Sequence, residues 1–260
     1  MTRLQLSILV GALFLFFGMY FGCDTKPNNT LKGGSTKSVA TDNSAVDNVL
    51  QTAKAALTAE DASTVKQLEQ QIQVAVSDTA KASLMKKLAG FWYRAENATA
   101  SGHYAEQIAN IERKEEAWSI AGTTYLDAIK QNTAPEVRNW CSAQAVKMFE
   151  KATEANPSNI NHKINLALCY VENPLQDNPM KGILMLRELD TQVPNQPTVQ
   201  ITLARLAIKT GQFEKAIARL EKAVALNPKN KAAICLLADA YQGIGNAAKE
   251  AEFGKKCQAK

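Results

Sequence analysis

The sequence predicts an all-α fold, an α-α superhelix in which antiparallel helix pairs stack along one axis. Three observations carry that prediction. Prolines close successive segments at Pro157, Pro194 and Pro228, spaced 37 and 34 residues apart. At the same three offsets before each proline stand small or apolar residues: Ala145, Phe149 and Ala152; Gly182, Leu186 and Leu189; Ala216, Leu220 and Ala223. The composition, rich in Ala, Leu, Lys, Glu and Gln, favours helix over strand.

Hydrophobic residues make up 46% and charged residues 21% of the 260, the balance of a chain that folds around a core. The formal charge is +5, but its 30 basic and 25 acidic residues are interspersed. No like-charged block offers an arm to nucleic acid, so no nucleic-acid partner is expected. Two histidines, His103 and His162, are a thin supply of general bases or metal ligands. The five cysteines include no CxxC pair and suggest neither a zinc site nor a disulfide framework. No metal, cofactor or catalytic constellation is expected.

Residues 4–22 carry no charge and are rich in Leu and Phe. In helical form they reach roughly 28 Å, about the thickness of a bilayer's hydrocarbon core. Residues 1–25 therefore read as a single-pass transmembrane anchor. Arg3 on its short side argues for an inside amino terminus and an exported remainder, at the periplasmic face of a bacterial inner membrane. Lys26, Lys32 and Lys37 on the far side pull the other way. A rival reading lipidates Cys23 after signal cleavage. Gly22 suits such a site, whereas Tyr20 and Phe21 do not. Residues 26–43, polar and Gly-containing, read as a flexible linker.

A helical lead-in is expected over residues 44–113. Its first helix, over 44–57, lines up Val46, Val49, Leu50, Ala53 and Leu57, with Ser44 as N-cap. A second, capped by Asp61 or Ser63, carries Val65, Leu68, Ile72, Ala75 and Val76. A third, over 81–97, presents Leu84, Leu88, Ala89, Trp92 and Tyr93, and a fourth after Gly102 presents Tyr104, Ile108 and Ile111. The apolar seam of the first two is too short and too interrupted for a coiled coil.

Four repeats follow, at 115–157, 158–194, 195–228 and 229–257. Their first helices carry Trp118, Ala121, Gly122 and Tyr125; Leu166, Ala167 and Tyr170; Leu203, Ala204 and Ala207; Leu237, Ala238 and Tyr241. Small residues belong where two helices cross closely, and Phe149, Tyr170, Leu220 and Tyr241 belong in the gaps between pairs. This pattern resembles the tetratricopeptide-repeat (TPR) family over roughly residues 115–257. With stretches such as AWSIAGTTY (117–125), NLALCYVENPLQDNPMKGILML (165–186) and LARLAIKTGQFEKAIARLEKA (203–223), the chain is similar to membrane-anchored TPR proteins of Bacteroidetes bacteria. Departures are about eleven extra residues between Tyr125 and Ala145, including Pro135, Trp140 and Cys141, and a break at Pro174 and Pro179. Gly254 stands where a large residue should pack, so the last helix reads as a frayed cap.

The resemblance implies a protein partner bound along the face of the first helices. Candidate partner-binding residues there are Asn161, Asn165 and Arg205, with Trp140 as an anchor from the insertion. The competing readings are solvated helix positions for the first three and a Trp folded back onto its repeat. The basic cluster of a carboxylate-binding clamp is missing. Cys169, Cys235 and Cys257 read as buried thiols, with a Cys169–Cys235 bridge as the alternative, and His162 reads as solvated. The expected function is a non-catalytic, membrane-tethered protein-interaction scaffold. The alternatives are a self-assembling envelope protein, or an accessory subunit or chaperone in envelope assembly.

Overall fold

The structure is a computed structural model and describes residues 44–132 and 134–258. The anchor expected at 1–25, Cys23 within it, and the linker expected at 26–43 lie outside those residues. Among the described residues, no helix is long and apolar enough to cross a membrane. They fall in one unit, Asn43–Lys260.

The described residues form twelve helices. Two precede the pairs: α1 (Ser44–Ala55) and α2 (Ala59–Val74). Five antiparallel pairs follow: α3 (Asp78–Arg94) with α4 (Ala98–Glu112), α5 (Glu115–Gln131) with α6 (Pro135–Ala155), and α7 (Ile160–Glu172) with α8 (Lys181–Gln192). The last two are α9 (Pro197–Lys209) with α10 (Phe213–Leu226), and α11 (Lys231–Gly243) with α12 (Ala247–Gln258). Each helix packs on its partner, and first helices touch across pairs, α5 on α7 and α9 on α11. α1 packs across α4 and α6 instead of joining the stack of pairs.

Side chains set the helix starts. Thr58, in place of the expected Asp61 or Ser63, caps α2 by accepting from the Asp61 N–H, and Ser77 caps α3 by accepting from Ala80. Asn97 accepts from Ala100, so α4 begins four residues before Gly102, and His103 lies within the helix instead of at its start. The insertion between Tyr125 and Ala145 is not a loop. Pro135 sits in the first turn of α6, where its missing N–H costs nothing, and the extra residues lengthen α5 to 17 and α6 to 21 residues. By contrast, residues 173–180 do leave the helix, as Pro174 and Pro179 require. Gly211 and Gly245 take left-handed φ values of 70° and 72° in the turns of the last two hairpins.

The core runs as three clusters handed along the stack. The first extends from Val46 to Cys169, the second joins Ile164 and Leu186 to Leu203, and the third joins Ile201 and Leu220 to Tyr241. The proline-indexed positions behave as the repeat pattern demands. Ala145, Phe149, Ala152, Leu186, Ala216, Leu220 and Ala223 are fully buried, and Tyr170 and Tyr241 are buried between pairs. Glycines mark the tightest crossings. A Cβ on Gly182 would lie 2.5 Å from the Ala167 carbonyl oxygen and 2.8 Å from the Val171 nitrogen. Backbone cannot yield as a side chain does. Gly182→Val is therefore expected to force α7 and α8 apart and destabilise that pair by about 3 kcal/mol, near the top of the overpacking range. Hydrogen exchange resolved by helix checks this, with the loss centred on α7 and α8.

Candidate functional site

The first-helix face opens into a trough near the amino-terminal end of the stack. α3 supplies one wall through Lys86, Ala89, Gly90 and Tyr93, and α5 the other through Glu116, Ala117, Ile120 and Thr124. α4 is the floor, with Ser101, Ala105, Ile108 and Glu112 at helical spacing along one side. The cleft they enclose is about 480 Å³. Tyr93 and Ile120 stand on its rims 65% and 62% exposed, unusual for side chains of their size with core available nearby. A second cleft of about 620 Å³ shares Tyr93 and continues past Arg94, Asp127, Lys130 and Gln131. From Glu116 to Gln131 the wall of α5 runs about 22 Å at helical rise.

Charge in the trough is unevenly matched. Lys86 meets Glu112 at 2.6 Å, while Glu116 is exposed and makes no hydrogen bond or ion pair among the described residues. Asp127 is paired with Lys130 at 3.3 Å. The Glu112–Glu116 end thus holds two carboxylates against one ammonium, beside an apolar floor.

The first-helix face of the carboxyl-terminal pairs is more polar. Asn161 is exposed and Asn165 half-buried, one turn apart on α7, while Arg205 is exposed on α9 and makes no ion pair among the described residues. Lys209, one turn beyond Arg205, reaches Glu172 of α7 at 3.6 Å. These three candidates lie on first helices, but among the described residues no hydrogen bond joins the asparagines to Arg205. Trp140 is corrected: it is only 7% exposed, in α6, with its ring edge-on to Tyr125 at 5.4 Å. It packs within the lengthened hairpin and presents little surface to a partner.

Two polar networks hold neighbouring pairs in register. At the start of α5, Glu115 accepts from Asn156 and Asn159 at 2.9 Å and pairs with His162 Nε2 at 2.7 Å. His162 is 3% exposed, which corrects the solvated position expected for it. Burial there is possible because Glu115, 47 residues earlier, supplies the acceptor. Further along, Arg219 Nη1 donates to Asp190 at 2.8 Å and to the buried Gln200 at 2.9 Å, joining α8, α9 and α10. Burial opposes ionisation of Asp190, but the Arg219 and Gln200 hydrogen bonds outweigh it and lower its pKa.

Hydrogen bonds from Asn159, His162 and Asn156 hold the Glu115 carboxyl down at about 2, against an ordinary 4.5. A carboxyl depressed in the folded state stabilises above its unfolded value, and that contribution is lost as pH falls through the folded one. The Glu115 contribution is therefore expected intact above pH 4.5 and lost progressively from there to about 2. Urea midpoints measured between pH 5 and 2.5 check this. The wild-type curve should fall more steeply with acid than that of Glu115→Gln.

The cysteines depart from expectation. Cys235 of α11 is bonded to Cys257 of α12, with Cα atoms 4.9 Å apart, so neither is a free thiol and Cys235 does not bridge to Cys169. Antiparallel helices bring residues on either side of their turn together, and these two face each other across the last hairpin. Cys141 and Cys169 are free and buried, and burial pushes their thiols up to about 11 and about 12. The last helix, expected to fray, is formed through Gln258, yet it contains no buried residue.

Residues 205–245 match the family model for the TPR repeat. The cellulose synthase operon protein C of Pseudomonas fluorescens (strain SBW25) is 30% identical over 135 residues, 52% of this chain and 10% of that protein. The chain thus spans about a tenth of the length of the curated relative it matches. Among solved structures, residues 41 to the end of MamA from Desulfovibrio magneticus RS-1 share 17% identity at a TM-score of 0.43, covering 70% of this chain and 95% of that one. Yeast Tom70 shares 16% at 0.44, covering 76% and 47%. The all-α solenoid rests on the chain's own stacked pairs, and the similarity to the TPR repeat rests on residues 205–245.

Proposed function

We propose that this chain is a non-catalytic scaffold, tethered to a membrane, that holds a protein partner in the trough between α3 and α5. The trough itself carries the reading: a cleft with an apolar floor, two large exposed side chains on its rims and charged groups at its Glu112–Glu116 end is suited to another polypeptide. The uncharged residues 4–22 support a membrane tether, with lipidation at Cys23 as the other means of attachment. The Cys235–Cys257 bond supports an oxidising compartment, and so an exported, periplasmic placement of the repeats. The resemblance to anchored repeat proteins of Bacteroidetes agrees with both.

Crosslinking in living cells, followed by capture of the tagged full-length chain and mass spectrometry, tests the scaffold. Cells carrying residues 1–43 alone are the control. A partner recovered with the full chain and absent from the control is the expected result, and recovery of the chain alone would overturn it. A second reading, self-assembly, has one observation in its favour: α12 contains no fully buried residue, so the outer face of the last pair is largely exposed. Sedimentation of the full-length chain decides it, because a clean monomer removes self-assembly.

A further inference from the structure

Among the described residues, glycines inside helices have a visible packing reason at Gly102, Gly122 and Gly182 but not at Gly90 or Gly254. A Cβ on Gly102 would lie 2.8 Å from the Tyr125 ring, one on Gly122 2.9 Å from Phe149, and one on Gly182 2.5 Å from backbone. Each is glycine because another helix comes too close for anything larger. Gly90, one turn before the end of α3, has no such neighbour: its Cβ would meet only the Arg94 guanidinium, at an ordinary 3.6 Å. Glycine weakens a helix interior, and no packing among the described residues demands it at this position. Its missing side chain leaves the α3 wall open beside Tyr93, across the trough from Ile120. Gly254 also lacks a close neighbour, but it faces a surface of Asp239, Gln242, Glu250 and Lys255 with no exposed large apolar rim.

We infer that the cleft at Gly90 is an anchor subsite for a partner segment that inserts one large apolar side chain, with a Lys or Arg nearby to meet Glu116. This rests on the scaffold function proposed above and specifies the chemistry of its partner. The apolar half follows from the floor of Ala105 and Ile108 beneath the exposed rims, in a volume suited to one or two large side chains. The basic half follows from charge. Glu112 already has Lys86, whereas Glu116 is an exposed carboxylate with no partner among the described residues. A cation placed there gains its pairing without breaking an existing one.

The test is selection of random twelve-residue peptides displayed on phage against the immobilised full-length chain in detergent. Enriched peptides are then synthesised with a fluorophore and titrated by anisotropy against variants. Expected is a pool sharing an aromatic or long aliphatic residue with Lys or Arg within a few positions. Gly90→Leu should weaken binding about tenfold or more, as filling an anchor pocket does. Its melting temperature should be unchanged or higher, since leucine fits the open position and favours helix. Glu116→Lys should weaken binding by about three- to tenfold, recovered by exchanging the peptide's basic residue for Glu.

Peptides that bind Gly90→Leu as well as wild type, but lose affinity on Arg205→Glu, would overturn this subsite and leave the scaffold standing. An enriched pool without basic residues, insensitive to Glu116→Lys, would overturn the charge assignment. Self-association of the wild-type chain that Gly90→Leu abolishes would make a second copy the occupant and overturn the assignment to a different protein. No enrichment at all would count against the subsite and the scaffold together.

Discussion

Phe149→Ala is expected to lower the local unfolding free energy of α5 and α6 by about 3–5 kcal/mol, the range for removing a fully buried ring. Phe149 is inaccessible to solvent, and its ring lies where Gly122 has no side chain. That pairing places the effect in the upper half of the range, because glycine offers nothing to collapse into the cavity. The stack also confines the damage. Each pair contacts chiefly its neighbours, so amides of α5 and α6 should lose protection while those of α11 keep theirs. Hydrogen exchange separates the two groups. Gly122→Leu alone should also destabilise, by overpacking the same ring. Combined with Phe149→Ala it should cost less than the sum of the single changes, because the new side chain fills the void the ring leaves. Additive losses would show that the two residues do not share that space.

Reducing the Cys235–Cys257 bond, or replacing Cys257 with Ser, is expected to release α12 while leaving the preceding pairs folded. The expectation follows from burial. α12 contributes no buried residue, and its main apolar contact is Phe253 stacked on Tyr241 at 5.7 Å. Closing a loop of 22 residues stabilises by on the order of 3 kcal/mol in the chain-entropy description. For a helix with so little core, that is most of what holds it. Amides of α12 should exchange at close to the open-chain rate after reduction, whereas those of α9 and α10 should change little. Carboxyl-terminal proteolysis should show the same boundary, stopping near Gly243. Unchanged protection of α12 after reduction would mean that the Tyr241 stack and the surrounding ion pairs suffice.

The repeat core is legible because its signal is periodic. Pro157, Pro194 and Pro228 index the same three buried positions in each pair, and no long-range information is needed to read them. The Trp140 segment misleads because its extra residues depart from the repeat pattern, although Pro135 is at home in a first helical turn. The insertion then lengthens both arms of an antiparallel hairpin together. His162 and Glu115 are 47 residues apart, and only the folded pairs bring them within 2.7 Å. The disulfide is nearer to hand, since residues flanking a helical hairpin turn at similar distances are expected to meet. The trough escapes a sequence reading for a different reason. α3 and α4 are a degenerate pair without a closing proline, so Gly90, Tyr93 and Ile120 pass for lead-in or core positions and not for walls. Glycine followed by an aromatic one turn later on the solvent side of a helix is the signal that finds it.

Force entering the folded unit at its amino-terminal end meets α1 first. That helix docks across α4 and α6 through the buried Val46 and Leu50, and Lys54 adds an ion pair to Glu69 of α2. Its approach to α4 is on the His103 side, with Asp47 and Lys54 near that ring, whereas the trough uses the opposite side of α4 at Ser101, Ala105 and Ile108. A tug along the chain therefore loads a short strap held by few anchoring side chains, on the side away from the trough. In the tethered scaffold proposed above, that strap would peel away and lengthen the chain while the walls at Gly90 and Ile120 stay in place, sparing a partner seated between them the strain.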